Sequence, residues 1–341
     1  MYTDTATIGE FGLIDRITQP FALKHPQSLK GPGDDAAVID NGKNLTLVST
    51  DLLLEGIHFD LIYTPLTHLG YKTVVAGISD IYAMNGTPRQ ITVSIGVSVR
   101  FGVEQIEELY KGVKIACDKY NVDLVGGDTS ASLTGLTLSV TAIGEVEKDK
   151  IVYRSGAKNN ELICVTGDLG SAYLGLKLLD REKRVLDGVE NPQPRFDGFE
   201  YLLQRQLKPD AQKLAVESMA QNKIVPSAMI DLSDGLASDL LQICKASKMG
   251  ACIYLDRLPI AKESFALAEE LHIDPVVAAL NGGDDYELLF TVPLDRQGDV
   301  AHIPGAEIIG HIVPESKGCA LTTPDGQEIS ITAPGWGNTE L

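Results

Sequence analysis

The alternation of apolar and polar residues from Ile91 to Val99 is the pattern that most restricts the fold of this chain. Odd-numbered positions are Ile or Val, and even-numbered positions are Thr, Ser or Gly. A period of two predicts a β-strand with one strongly apolar face. Leu136 to Val146 shows a similar pattern. The chain therefore needs a sheet with one buried side and a further layer that covers it.

Segments with helical spacing lie between these strands. Tyr71 to Met84 is apolar and rich in small residues, which predicts a buried helix, and Val103 to Tyr120 carries one apolar stripe. After a polar stretch from Lys148 to Glu161, further strands and helices alternate irregularly. The length of 341 residues suggests two domains. We expect a mixed α/β (α+β) fold with domains at residues 1–150 and 151–341.

The charge balance excludes several classes of partner. The chain has 29 Lys and Arg against 47 Asp and Glu, a formal net charge of −18. Such an acidic protein is a poor match for nucleic acid or an anionic membrane, and no apolar run reaches the roughly 18–20 residues of a membrane span. The first ten residues lack a signal-peptide pattern, and the five cysteines form no C-x-x-C pair. We therefore expect a cytoplasmic location, no nucleic-acid partner, no membrane contact, and no disulfide or zinc framework.

The common phosphate-binding motifs are absent from the sequence. There is no G-x-x-x-x-G-K-[ST] P-loop and no kinase-type H-R-D sequence. The segment Gly31 to Ala36 fits the loose G-x-G-x-x-A pattern, but no apolar strand precedes it. A dinucleotide-binding fold is therefore not predicted.

Aspartates recur at the ends of apolar segments, next to Gly, Ser or Thr. Asp80 is the sharpest example, because it lies inside an apolar helical segment, with Lys72 two turns away as a candidate partner. A buried carboxylate must pair, protonate or hold a metal. Several such hard oxygen donors around shared Mg²⁺ ions are typical of metal-assisted phosphoryl transfer. The other instances are Asp34, Asp35, Asp51, Asp128, Asp231, Asp234, Asp284 and Asp285.

The same motifs have a simpler interpretation. Asp and Gly are common in turns, and Ser or Asp side chains cap helices. Ser233 or Asp234 could cap a helix that begins near Leu236. Both interpretations stay open for any single motif. The recurrence of six motifs, one of them inside an apolar helix, favours a site that binds an anion through several metal ions.

Nine short motifs occur in order between residues 9 and 336. They are Gly9-Glu10-Phe11, Gly33-Asp34-Asp35-Ala36, Ser49-Thr50-Asp51, Gly56-Ile57-His58-Phe59, Ser79-Asp80, Gly126-Gly127-Asp128, Arg154-Ser155-Gly156, Ile230-Asp231-Leu232-Ser233-Asp234-Gly235 and Gly282-Gly283-Asp284-Asp285-Tyr286-Glu287-Leu288. Together they are similar to the thiamine-monophosphate kinase family. That family is part of the PurM-like superfamily of aminoimidazole ribonucleotide synthetase, whose members use ATP without a P-loop.

The resemblance implies both a reaction and a fold. ATP would phosphorylate thiamine monophosphate to thiamine diphosphate, the last step of thiamine diphosphate synthesis, by direct in-line transfer with several Mg²⁺ ions. No pair of nucleophile and base stands out in the sequence, so no covalent catalytic residue is expected. The implied fold has an N-terminal domain that binds ATP and Mg²⁺ and pairs with its counterpart in a homodimer to close a β-barrel.

The family motifs also imply roles for individual residues. The implied metal ligands are Asp35, Ser49, Thr50, Asp51, Asp80, Asp128, Asp231 and Asp234. The implied ATP contacts are Tyr110, Gly127, Asp128, Arg154 and Ser233, and the implied thiamine-phosphate contacts are His58, Asp284 and Trp336. Asp284 stands where the family motif is expected to have Glu, so its carboxylate is displaced by about one C–C bond.

Simpler interpretations of three of these residues stay open. The planar guanidinium of Arg154 suits a triphosphate, but a surface arginine in a polar linker would look the same in sequence. Trp336, the only tryptophan, could stack on a thiazolium ring or anchor the C-terminus. Tyr110 could lie near the nucleotide or be a half-buried residue of its helix.

Two other functions also stay open. One is a different PurM-like enzyme: selenophosphate synthetase would need a reactive Cys near the N-terminus, whereas the first cysteine is Cys117, and aminoimidazole ribonucleotide synthetase matches the motifs less well. The other is a non-catalytic nucleotide- or metal-binding protein. The spacing of the aspartates in this chain does not match an EF-hand loop, and a protein that only binds metal or nucleotide would have no need for Arg154 or His58.

Overall fold

The computed structural model describes residues 7–188 and 193–333, so Trp336 lies outside the described residues. This part of the chain contains thirteen strands in two sheets, together with ten α-helices. The mixed α/β fold that the sequence predicts is confirmed. None of the helices within these two ranges has the length and apolar character of a membrane span.

The first half of the chain forms a six-stranded sheet. Its helices are α1 (Gly9–Thr18), α2 (Leu66–Ala83) and α3 (Val103–Tyr120), and its strands are β1 (Ser28–Lys30), β2 (Ala37–Asp40), β3 (Asn44–Leu54), β4 (Thr87–Val97), β5 (Asp123–Ala131) and β6 (Thr137–Glu147). The strand order is β1-β2-β3-β6-β4-β5. Neighbouring strands are antiparallel except for the parallel pair β4–β5.

The second half forms a seven-stranded sheet. Its helices are α4 (Ser171–Val185), α5 (Glu200–Leu207), α6 (Lys213–Gln221), α7 (Leu236–Ser247), α8 (Lys262–Leu271), α9 (Pro275–Asn281) and α10 (Gln297–Val300). Its strands are β7 (Leu162–Val165), β8 (Ala228–Asp231), β9 (Met249–Tyr254), β10 (Leu288–Val292), β11 (Glu307–Pro314), β12 (Cys319–Thr322) and β13 (Glu328–Ser330). The order is β13-β12-β9-β11-β7-β10-β8, which leaves β8 at an edge.

A helical layer covers the apolar face of the first sheet. Ile91 and Val93 of β4 are buried, and α2 packs against β3, β4 and β6. Helix α3 packs on α2 at a close crossing, where a Cβ on Gly70 would lie 2.0 Å from the carbonyl oxygen of Leu109. The small residues of the α2 segment therefore permit this crossing, and both predicted helices are confirmed.

The two sheets share one core. The largest cluster of buried apolar side chains combines residues of the first sheet with Met219, Met229 and Phe290 of the second half. A polar contact also joins the halves, because the Tyr71 hydroxyl donates to Asp210 Oδ1 at 2.6 Å. The domain boundary near residue 150 stays a prediction. In this fold it would separate two sheets that pack against each other.

Candidate active site

Three carboxylates from distant parts of the sequence meet where α2 packs against the edge strand β8. Asp35 precedes β2, Asp80 lies on α2 and Asp231 ends β8. Each offers one carboxylate oxygen, and these atoms lie within 4.8 Å of one another. Ser79, next to Asp80 on α2, donates a hydrogen bond to Asp231 Oδ2 at 2.6 Å. Helix α2 thus joins the two halves of the chain at an acidic cluster of Asp35, Asp80 and Asp231.

Burial and mutual repulsion disfavour the ionised forms of these acids. Burial raises the pKa of Asp35 to about 7 and the pKa of Asp231 to about 6. Burial, followed by the charge of Asp51, raises the pKa of Asp80 well above its ordinary value. Burial also raises the pKa of Asp51 to about 6. The charge of Arg154 lowers the pKa of Asp35, Asp80 and Asp231, but burial outweighs it in all three, so full ionisation at neutral pH needs further positive charge.

Carboxylate oxygens without partners point to a bound cation. The buried Oδ2 atoms of Asp35 and Asp51 accept no hydrogen bond within the described part of the chain. A buried polar atom that lacks a partner costs free energy, and anionic oxygen atoms are the ligands that Mg²⁺ prefers. The donor set of the site therefore fits a hard divalent cation.

The three motif residues of β3 divide between the two faces of the first sheet. The Ser49 hydroxyl donates to the carbonyl oxygen of Gly77 on α2 at 3.1 Å. Thr50 Oγ1 instead lies 3.2 Å from Thr141 Oγ1 on β6. Because alternate residues of a strand share a face, Asp51 lies with Ser49 on the α2 side. The structure brings Ser49 and Asp51 to the acidic cluster, whereas the hydroxyl of Thr50 faces away from it.

The predicted phosphate contacts Gly127 and Asp128 lie on β5, three strands from β3. Asp51, Val140, Val93 and Gly127 form one row across the sheet, and Asp128 lies on the next row. At about 4.8 Å per strand, the separation from β3 is roughly 14 Å. A Cβ on Gly127 would lie 2.0 Å from the carbonyl oxygen of Val93, so the contact with β4 already requires glycine. The structure does not place Asp128 in the acidic cluster.

Arg154 is anchored at the acidic cluster. Its backbone N–H donates to Asp34 Oδ1 at 2.8 Å, and its Nε and Nη2 both donate to Asp35 Oδ1, at 3.2 and 2.8 Å. The side chain is 19% exposed, so the surface position considered from the sequence is wrong. Within the described residues Nη1 has no acceptor, which leaves one edge of the guanidinium for a ligand. Asp34, to which the family motifs gave no individual role, holds the backbone of this arginine.

Ser233 and Asp234 do not cap α7. The N-cap is Gly235, and no side chain caps this helix end. Instead the buried Asp239 accepts hydrogen bonds from the backbone N–H groups of Asp234 and Gly235, each at 3.2 Å. The side chains of Ser233 and Asp234 stay exposed next to Asp231. The helix-cap interpretation is therefore wrong, and sequence reasoning missed Asp239, whose only signal is an Asp on the apolar face of α7.

Two of the predicted substrate residues lie close together. Asp284 Oδ2 accepts a hydrogen bond from Lys72 Nζ at 2.9 Å, so the partner of Lys72 is Asp284 and not Asp80. His58, on the loop after β3, is close enough to both that Asp284 raises its pKa and Lys72 lowers it. Partial burial, the largest cause, lowers the pKa of His58 overall and favours a neutral ring. Trp336 cannot be placed, since it lies outside the described residues.

Tyr110 lies on α3 and packs against the main core. Its partial burial raises its pKa. The position is that of a half-buried helix tyrosine, as one of the two interpretations predicted. A contact with a nucleotide stays a prediction.

The fold is that of a wider class of proteins. Residues 33–146 match the family model of AIR synthase related protein, N-terminal domain. The solved structure of hydrogenase maturation protein HypE in complex with ATP has a TM-score of 0.69 at 19% identity, and it covers 93% of each chain. At that identity the likeness shows the fold alone.

Other relatives narrow the class to one family. Thiamine-monophosphate kinase of Bacillus subtilis (strain 168) is 33% identical over 96% of this chain and 98% of its own length. The Escherichia coli (strain K12) enzyme is 35% identical over 86% of each chain. The solved structure of AaThiL complexed with AMPPCP and TMP is 30% identical, with a TM-score of 0.82, and covers 99% of this chain and 100% of that one. The chain belongs to the thiamine-monophosphate kinase family.

Proposed function

We propose that this chain transfers a phosphoryl group from ATP to thiamine monophosphate, forming ADP and thiamine diphosphate. The observation that carries the proposal is the convergence of Asp35, Asp80 and Asp231 beside Arg154, with buried carboxylate oxygens that lack partners. Family membership supports the reaction, and the neighbour complexed with AMPPCP and TMP supports the two substrates.

We propose that several Mg²⁺ ions act as cofactors of this site. Asp35, Asp51, Asp80 and Asp231 would hold them, since their carboxylates already influence one another. Bound Mg²⁺ would offset the repulsion between these acids and the triphosphate and would neutralise charge on the transferring phosphoryl group. An oxygen of Ser49, the backbone of Thr50 and the carboxylate of Asp234 are proposed as further ligands. Asp128, on β5, would hold a metal ion outside the acidic cluster.

Protein groups would position the two phosphates for direct transfer. The free edge of Arg154 suits a phosphate oxygen of ATP, and Ser233, Tyr110, Gly127 and Asp128 are proposed as the other nucleotide contacts. The monophosphate of the acceptor is a competent nucleophile at neutral pH, so in-line attack needs no strong base. We therefore assign Asp80 and Asp128 as metal ligands and not as bases.

The thiamine end of the acceptor would lie near His58 and Asp284, with Trp336 as a further contact. Thiazolium is a cation and the aminopyrimidine ring is a flat polar surface, so a carboxylate and an aromatic side chain complement them. A neutral His58, which the lowered pKa favours, adds a polar contact without adding charge.

We also propose that the chain forms a homodimer through its N-terminal domain, residues 1–150. Strand β5 lies at the sheet edge, all nine of its residues are exposed, and its Leu124 and Val125 are 44% and 57% exposed. An unprotected edge of this kind favours pairing with another chain. The partner sheet would close the barrel that the family resemblance implies. Sedimentation should show a dimer at micromolar concentration, and a monomer alone would contradict this proposal.

The reaction is tested by incubating the purified chain with ATP, Mg²⁺ and thiamine monophosphate. Thiamine diphosphate and ADP should appear in equal amounts, and neither should form when the acceptor is omitted. ADP formed with a different acceptor would instead identify another PurM-like activity. No ADP above background would favour a binding protein without catalytic function.

A further inference from the structure

Lys72 is a buried cation of α2 to which the proposed reaction gives no role. Lys72 is 4% exposed, and a lysine so buried needs polar partners because desolvation of an ammonium group is costly. Nζ donates to Asp284 Oδ2 at 2.9 Å and to the carbonyl oxygen of Gln206 at 3.1 Å. Both partners belong to the second half of the chain. Lys72 therefore links the helix that carries Asp80 to the segment that carries Asp284.

Asp284 lies in a segment whose backbone conformation is unfavourable. Its φ is +60°, and that of Tyr286 is +51°, in the left-handed region that side chains other than glycine rarely adopt. Asp284 Oδ1 accepts a hydrogen bond from the Tyr286 hydroxyl at 3.2 Å, and its backbone N–H donates to the carbonyl oxygen of Ser233 at 2.8 Å. Such a conformation persists only where contacts hold it. Lys72 supplies the contact to Oδ2.

The same segment is held from its other side by a second cation. Asp285 and Glu287 face Arg205 of α5, whose Nη1 lies 2.9 Å from Glu287 Oε1 and whose Nη2 lies 3.8 Å from Asp285 Oδ1. Arg205 directly precedes Gln206, the other acceptor of Lys72. The segment therefore has two sides. Arg205 holds the buried side, which carries Asp285 and Glu287. Lys72 holds the other side, on which the side chain of Asp284 is 36% exposed.

We propose that Lys72 is a positioning residue for the acceptor substrate, because it fixes the carboxylate of Asp284 at the place where that carboxylate contacts the cationic thiazolium end of thiamine monophosphate. This inference rests on the proposed function. The hydrogen bond from Nζ to Oδ2 restrains the side chain of Asp284. Lys72 acts through Asp284 and does not contact the reacting phosphates.

Lys72→Met removes the ammonium group and keeps a side chain of similar length. The KM for thiamine monophosphate should rise about tenfold or more, with kcat changed less than about threefold and the KM for ATP unchanged. Lys119→Met is the control, because Lys119 also pairs with an aspartate of the second half, Asp210, and the proposed function gives neither residue a role. That control should keep both KM values of the wild type.

A double-mutant cycle with Asp284→Asn separates indirect from direct action. If Lys72 acts through Asp284, adding Lys72→Met to Asp284→Asn should change the KM for thiamine monophosphate by less than about twofold. Fully multiplicative effects, or an unchanged KM in Lys72→Met alone, would overturn the proposal. Lys72→Gln keeps an N–H donor and should recover part of the loss; it replaces Lys72→Met if that variant does not fold.

The wild-type chain, assayed in the same series, separates this inference from the proposed function. Absence of thiamine diphosphate from the wild-type reaction overturns the proposed function. Normal wild-type turnover, together with a wild-type KM in both Lys72 variants, overturns only the role of Lys72.

Discussion

Two clusters of acids in this chain differ in whether their carboxylates find partners within the protein. The acidic cluster of Asp35, Asp80 and Asp231 lies beside Arg154. A second set of acids surrounds Arg205, which is 11% exposed; its members are Asp168, Asp285 and Glu287. Each group has three carboxylates and one guanidinium, so the count of charges does not distinguish them.

The difference lies in the donors that each set of acids finds within the chain. Glu287 accepts from Thr166 Oγ1 at 2.6 Å, Asp285 Oδ2 accepts from Gly170 N–H at 3.0 Å, and Asp168 accepts from the Tyr201 hydroxyl. Asp285 Oδ1 lacks a hydrogen bond, but it is paired with Arg205. In the acidic cluster Asp35 Oδ2 has no partner, and Asp80 is partly exposed. Internal donors make the Arg205 set structural, whereas buried carboxylate oxygens without partners, next to a partly exposed Asp80, suit a bound cation.

Asp80→Asn should produce the largest effect on function. Turnover should fall about a thousandfold or more, because the proposed Mg²⁺ site loses one of its carboxylate ligands. The melting temperature without metal should not fall, since the substitution removes an acid whose ionised form is disfavoured by burial and by the neighbouring carboxylates. Steady-state kinetics and a melting curve measure both. Near-normal turnover in this variant would contradict the assignment of the acidic cluster as a metal site.

Arg205→Met should produce the largest effect on stability. It leaves Asp168, Asp285 and Glu287 without their shared cation, and breaking a buried ion pair in this way costs about 3–5 kcal/mol. Urea unfolding gives the free energy of unfolding. A loss below about 1 kcal/mol would mean that Arg205 behaves as a surface ion pair, and the structural role of its set would be wrong.

The pH dependence of stability should change when Mg²⁺ is added. Without metal, the folded-state pKa values of about 7 for Asp35 and about 6 for Asp231 exceed the ordinary value of 3.8. Folding then favours the protonated acids, so their stabilising contribution is complete below about pH 4 and is lost as the pH rises towards 7. Mg²⁺ should therefore raise the melting temperature more at pH 7 than at pH 5.

Melting curves from pH 4 to 8, in EDTA and in Mg²⁺, measure this difference. Asp35→Asn serves as the comparison, because it removes one titrating group and should flatten the metal-free curve. An increase in melting temperature that is the same at every pH would show that Mg²⁺ does not bind these acids.

The smallest effects come from a matched pair of hydroxyl deletions. Ser79 and Thr166 each donate to a buried carboxylate at 2.6 Å, one in each set of acids. Thr166→Val should lower the free energy of unfolding by about 1–3 kcal/mol and leave the Mg²⁺ dependence of turnover unchanged. Ser79→Ala should raise the Mg²⁺ concentration for half-maximal turnover about tenfold, because the carboxylate of Asp231 loses the hydrogen bond that orients it. If Thr166→Val changed the Mg²⁺ dependence of turnover and Ser79→Ala changed only the stability, the distinction between the two sets of acids would be wrong.

The fold was predictable where the periodicity is strong. Strands β4 and β6 and helices α2 and α3 each place apolar residues at regular spacing, and all four were predicted. Strand β5 was not predicted, because Gly126-Gly127 weakens the strand pattern and its nine residues are exposed. Helix α5 was missed because it is short and follows a polar segment with prolines.

The site was predictable where its residues interrupt a pattern. Asp80 stands out inside an apolar helix, and Asp35 and Asp231 flank apolar segments. The face on which the Thr50 side chain lies could also be predicted, because strand alternation places it opposite Ser49 and Asp51. The partner of Lys72 was not, because Asp284 lies 212 residues away and no local pattern connects the two. Long-range pairing of this kind depends on how the two sheets pack.

The location of divalent metal is the most direct test of the central claim. Crystals grown with Mn²⁺, AMPPCP and thiamine monophosphate should show anomalous density about 2.0–2.3 Å from carboxylate oxygens of Asp35, Asp80 and Asp231. The Arg205 set should show none. Absence of anomalous density from the Asp35–Asp80–Asp231 cluster, with nucleotide bound elsewhere, would contradict a metal-assisted phosphoryl transfer at this site.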